Sequence, residues 1–428
     1  MKKRVALLLT AIVTCLGATA QSQMRLWQGS ESTRINLSDA QVMTYSNGGT
    51  AITIAGTTYN LADIDSLTIV HQVVVTFSEG TATAAIPAAV ADDVTFEADG
   101  AYATITNNNV SNEIEFILSG ESSNGSFTYN GTYKTTFRLN GLTLTSQRGA
   151  AIDIRCGKRI DLVIEDGTTN SLTDCANGLQ KAAFNCQGHL EVSGGGTLNI
   201  AGNTNHAFRS NEYLLLKKSV GTINVTKAVA DGIHCSEYFQ MNGGTLNISG
   251  YGSDGLQMEM EADSEEPDNG IFTMNGGTIK VTHTAAGSKA VRADSTEAVM
   301  NINGGTIEID LAASASDAKG LVCDGNINIS ESQAATAITI NVAGNGYVDD
   351  DDEKIRTTGM KSDATITIDG GTIDIYATGR YSRGMRAVKL IANGGVTTVK
   401  NTGSSSQGIK LDNTFVSTGG TVNANFKY

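Results

Sequence analysis

The residues best able to do chemistry in this chain recur at nearly even intervals. Arg155, Arg209, His234, Gln257, Arg292, Lys361, Arg386 and Lys410 each follow an apolar residue, in steps of roughly 24 residues or a multiple with insertions. The triplets include Ile154-Arg155-Cys156, Phe208-Arg209-Ser210, Ile233-His234-Cys235, Leu256-Gln257-Met258, Val291-Arg292-Ala293 and Met385-Arg386-Ala387; Phe184-Asn185-Cys186 and Leu321-Val322-Cys323 share the frame. Seven of the ten middle positions can carry positive charge, in a chain whose net charge is −14. A row of such cations could bind a linear polyanion, with arginine gripping carboxylates through two parallel hydrogen bonds. Equally, lysine and arginine on a solvated strand face guard against edge aggregation.

Acidic residues offer a second chemistry. Asp231 and Asp254 fall at the same place in successive units. Glu259, Glu261 and Asp263 follow in an acidic stretch from Glu259 to Gly270, and Asp349 to Glu353, with Asp350, Asp351 and Asp352 at its centre, are unbroken. Calcium takes six to eight oxygens, mostly carboxylate and carbonyl, so these are the metal candidates, with solvated acidic loops as the alternative. Asp294, Asp324, Asp363 and Asp412 form a corner column that reads as turn capping through their own backbone. The five histidines show no metal spacing, and neither a Ser-His-Asp set nor a phosphate-binding glycine loop is seen.

The elements that must carry these residues are strands. Apolar, polar, apolar alternation gives side chains on two faces. A second alternating strand follows a turn of one to three glycines and begins at Thr197, Thr222, Thr245, Thr278, Thr306, Thr372 and Thr421. Several strands in a period of about 24 imply stacked coils. The period is too short for a propeller blade, and the glycines argue against helical repeats. The expected architecture is an all-β, right-handed parallel β-helix of about ten coils, each roughly 4.8 Å above the last.

Composition fits: 48 Gly and 2 Pro in 428 residues suit tight corners. Lys2, Lys3 and Arg4 before an apolar run, with Ala18-Thr19-Ala20 before Gln21, read as a signal peptide over 1–20, hence a secreted, periplasmic or cell-surface protein. No later stretch approaches membrane-span length. Its removal takes the net charge to about −17, a poor match to nucleic acid. Residues 21–73 form a separate β leader in which Trp27 reads as a packing anchor; strands are expected at 24–27 and 61–70. The repeats occupy 74–428. Cys156, Cys186, Cys235 and Cys323 fall in one inward column, where parallel stacking about 4.8 Å apart disfavours disulfides.

GSFTYNGTYKTTFRLNGLTLTS (125–146), GKRIDLVIEDGTTNSLTD (157–174), NGGTLNISGYGSDGLQ (242–257) and GMKSDATITIDGGTIDI (359–375) together resemble the bacterial carbohydrate-binding β-helix domains related in shape to pectate lyases. The resemblance covers about 74–428. It implies a right-handed parallel β-helix, bound calcium, and binding of plant-type polysaccharides, cellulose-like or acidic like polygalacturonate, without catalysis. Two alternatives stand beside it: a polysaccharide lyase, in which Lys361 beside calcium could take the sugar-ring proton, and a rod-shaped surface adhesin.

Overall fold

Each glycine turn feeds a strand that stacks in parallel on its equivalent one repeat away. Thr245–Ile248 pairs in register with Thr222–Lys227 below and Thr278–His283 above, and Leu256–Glu259 lies likewise between Ile233–Ser236 and Lys289–Asp294. These give two of three parallel ladders. The third consists of short strands such as Leu214–Leu216, Phe239–Met241 and Ile271–Met274. The computed structural model describes residues 21–29, 31–283 and 285–427, so the expected signal segment at 1–20 lies outside it. Within these residues the chain is all-β and solenoid-like, and the only helical pieces are three 3₁₀ turns at Asn47–Gly49, Leu61–Asp63 and Ala88–Val90.

The ladder of short strands and that of the glycine-turn strands join in one 26-stranded sheet through Thr135–Thr145, which pairs with both Ile160–Ile164 and Thr169–Thr173. The strands carrying the basic positions form a separate 14-stranded sheet. Their inward residues fill one core that extends from Val73 to Leu411, with like side chains stacked. Phe184 on Phe208 (4.8 Å between ring centres) and Phe239 on Phe272 (4.9 Å) are examples. Outside the core, asparagine amides also stack. Asn247 donates to Asn224 and Asn224 to Asn199, both at 2.8 Å; Asn303 donates to Asn275 at 3.0 Å and Asn275 to Asn242 at 2.9 Å.

In the turns before Thr245, Thr278, Thr306 and Thr372 the second glycine is conformationally required. Gly277 has φ 88°, and a Cβ there would lie 2.7 Å from the carbonyl oxygen of Gly244 in the coil below. Only glycine adopts this region without penalty, which is why the motif recurs.

Residues 21–64 have a small core of their own, Met24, Leu26, Ile35, Ala40, Ile52 and Ile54. Gln21–Gln28 pairs antiparallel with both Glu31–Asn36 and Ser66–Ser78. The last strand continues past residue 73 into the parallel stack, pairing with Ile114–Ser122. The strand expected at 61–70 begins only at Ser66, because Leu61–Asp63 is a 3₁₀ turn. No helix among the described residues is long and apolar enough to cross a membrane.

Candidate functional site

The basic column exists with one correction. Asn185, Arg209, His234, Gln257, Arg292, Val322, Lys361, Arg386 and Lys410 are successive partners across the 14-stranded sheet. Arg155 is not a member: the partner of Asn185 is Asp153, and Ile152, not Ile154, pairs with Phe184. Ile152 and Ile154 are both apolar, so the alternation permits a slip of two residues. The slip also removes Cys156 from the column of Cys186, Cys235 and Cys323; all five described cysteines are free.

Much of the column is covered. Asn185, Arg209, His234, Gln257 and Val322 are buried, whereas Arg292, Lys361, Arg386 and Lys410 are half-buried. Members about 4.8 Å apart cover one another's flanks. Its cations are also partnered. Arg292 binds Asp294 (2.8 Å) and Asp324 (3.2 Å), Lys361 binds Asp363 (2.7 Å), and Arg386 and Lys410 share Asp412 (3.2 Å each). The corner aspartates read as turn caps are therefore the counter-ions of the column. Asp294, Asp363 and Asp412 lie two residues beyond Arg292, Lys361 and Lys410, whereas Asp324 and Asp412 also reach the cations Arg292 and Arg386 of the preceding coil.

The metal candidates are scattered. Asp231 lies between His206 (Nδ1–Oδ2 3.1 Å) and His234 (3.0 Å), whose rings stack at 4.5 Å. Burial raises its carboxyl pKa, but the hydrogen bonds from both imidazoles outweigh that and hold it below the usual range. Asp254 accepts the backbone N–H of Lys289 and lies 3.9 Å from Arg292, and burial pushes its carboxyl up. Glu259 accepts from Gln257 at 2.8 Å. Asp350, Asp351 and Asp352 are exposed at the tip of a hairpin formed by Tyr347–Val348 and Lys354–Ile355; there Asp349 accepts the N–H groups of Asp351 and Glu353.

Glu261 and Asp263 do share a site. The acidic insertion lies beside His189, Glu212 and Glu237 and lines with them an open cleft of about 520 Å³, to which Glu265 and Glu266 also contribute. His189 Nε2 lies 3.7 Å from Glu237 and 4.0 Å from Glu212. Glu237 is 5% exposed; its Oε1 accepts from Ser264 at 2.5 Å, while its Oε2 is buried without a hydrogen-bond partner. Burial and the neighbouring Glu237 push the Glu212 carboxyl up. An orphaned carboxylate oxygen among several acids suits a divalent cation. The signal for these residues was present in the sequence: Glu212-Tyr213 recurs as Glu237-Tyr238, and the two tyrosine rings stack at 4.5 Å.

A family model described as "Carbohydrate-binding domain-containing protein" matches residues 99–402. No curated protein matches the chain. Among solved structures, the polysaccharide lyase-like protein from C. thermocellum, determined as a gadolinium derivative, is similar at 20% identity and a TM-score of 0.47, covering 62% of this chain and 99% of that one.

Proposed function

Because this chain belongs to the carbohydrate-binding domain-containing protein family, we propose that it is a secreted or cell-surface, non-catalytic receptor for plant-type, acidic polysaccharide, aided by calcium. The observation that carries this is the extent of the match, 99–402, which takes in most of the stacked ladders and every member of the outer column but Lys410. A row with one side chain per coil suits a linear polymer better than a compact metabolite. The preference for acid draws support from the half-buried Arg292, Lys361, Arg386 and Lys410. Their bound aspartates must yield to the uronates of the ligand, so single contacts are weak and affinity accumulates along the chain.

Calcium belongs to the same proposal. The acidic cleft around Glu212, Glu237, Glu261 and Asp263 supplies the hard oxygens it prefers, and a bound ion would tie the insertion to the rod. A right-handed winding of about ten coils, a pectate-lyase relationship, a signal peptide over 1–20 and a leader over 21–73 before the binding rod complete the proposal.

The test is retention in gels containing polygalacturonate or a neutral glucan, with and without chelator and with rising salt. Retention by polygalacturonate that weakens with salt and on chelation, without accumulation of unsaturated uronate, is the expected result. Equal retention by the neutral glucan would remove the acidic preference, and release of unsaturated product would make the protein a lyase.

A further inference from the structure

The leader and the first coils meet over a cleft of about 800 Å³. That lies within the roughly 300–1,000 Å³ of ligand pockets and is far larger than a single ion needs. Its walls carry Arg25, Trp27 and Arg34 from the leader and Lys134, Arg159 and Lys217 from the coils, facing only two lining carboxylates, Glu113 and Asp161. In a chain of net charge −14 this reverses the overall balance.

Beside it, the wholly buried Glu115 is shared by three guanidinium groups: Arg138 at 2.7 Å, Arg34 at 3.3 Å and Arg25 at 3.6 Å. One carboxylate cannot satisfy three such forks, and Arg25 Nε is buried without a hydrogen-bond partner. Lys217 is already held by Asp161 and Glu191 at 2.7 Å each, and Arg159 by Asp161 at 3.4 Å. Lys134 reaches Glu113 only at 3.9 Å. Arg25 and Arg34, which must share Glu115 with Arg138, and Lys134 are therefore the least fully paired cations of the cleft. Trp27, half-buried in the cleft wall, is fixed by its edge through Nε1–H to the Thr68 hydroxyl at 3.0 Å.

We infer that this cleft binds a short segment of a carboxylated oligosaccharide. Its uronate groups would pair with Arg25, Arg34 and Lys134, and a sugar ring would lie against the indole of Trp27. Planar guanidinium forks match carboxylates, and the indole supplies apolar area beside a polar rim. This deepens the acidic-polysaccharide proposal and rests on it.

Trp27 is the only tryptophan in the chain, so its fluorescence reports on this cleft alone. The full chain is titrated with tetragalacturonate, cellotetraose and, at matched charge, sodium sulfate. A saturable change with tetragalacturonate, and none with the other two, is expected. Lys134→Ala, and Arg34→Lys, which keeps the charge beside Glu115 but loses the planar fork, should each raise the midpoint roughly 5- to 10-fold, as loss of a charge-assisted hydrogen bond does, with unchanged circular dichroism. An equal response to sulfate would make the cleft a general anion sink and overturn the inference. Retention by polygalacturonate with silent fluorescence, and undiminished in the double variant, would place the ligand elsewhere and overturn it while sparing the parent proposal. Absence of polygalacturonate binding by the unaltered chain would bring down both.

Discussion

Glu115 shows how one residue can hold distant segments together. It lies in the buried strand Ile114–Ser122, with Gln72 donating to it at 2.6 Å. Burial pushes its carboxyl up, but Arg138 and Arg34 outweigh burial and hold it below its ordinary value of 4.5. A carboxyl depressed in the folded state stabilises above its unfolded value, and that stability is lost as pH falls through the folded value. Glu115→Gln should therefore cost about 3–5 kcal/mol at neutral pH, since it strands buried arginines. The gap to the parent should narrow below pH 4.5, and urea unfolding at neutral and acidic pH would measure it. Nothing near residue 115 in the sequence announces this role. Its partners at 25, 34, 72 and 138 converge only in three dimensions, whereas Lys361 and Asp363 stand two residues apart, a spacing that the sequence offers but that reads equally as a turn cap.

At the scale of the strand, register decides which substitutions are tolerated. Leu321 and Val322 are both buried, at 0% and 2% exposure, although alternation alone puts Val322 outside. Leu321→Asp places a charge in the apolar core and should cost several kcal/mol. Val322→Asp lies between Arg292 and Lys361 in the column and should cost much less, about 1–2 kcal/mol, because its charge meets cations. Equal melting temperatures for the two variants would contradict this register. Gly277→Ala should cost about 2 kcal/mol or more, from the left-handed backbone and the clash with Gly244; chemical denaturation would test it. The repeating coil was legible because glycine turns and alternation are local signals. The short strands such as Phe239–Met241 were not, since three residues carry too little pattern, and the two-residue slip at Arg155 was invisible because both frames bury isoleucine.

Across the whole molecule, stability depends on how well each coil holds the next. If the acidic insertion binds calcium in the native state alone, a hundredfold excess over the dissociation constant adds about 2.7 kcal/mol. Chelation should lower the melting temperature of the parent, and Glu237→Gln should blunt that response; an unchanged parent would remove calcium from the account. The stacking itself was readable in the sequence. The docking of the leader was not, since it depends on contacts such as Arg34 to Glu115, 81 residues apart. The asparagine ladders carry a further consequence, for the chemical lifetime of the protein. Asn242, Asn275 and Asn303 each precede a glycine, the sequence in which an asparagine most readily loses its amide nitrogen. Conversion of Asn275 to aspartate would remove the donor that serves Asn242 and leave a group that can only accept. Ageing would then loosen the outer face of the stack, one rung at a time, while the tight turns that hold the Asn-Gly pairs also restrain the backbone motion the reaction needs.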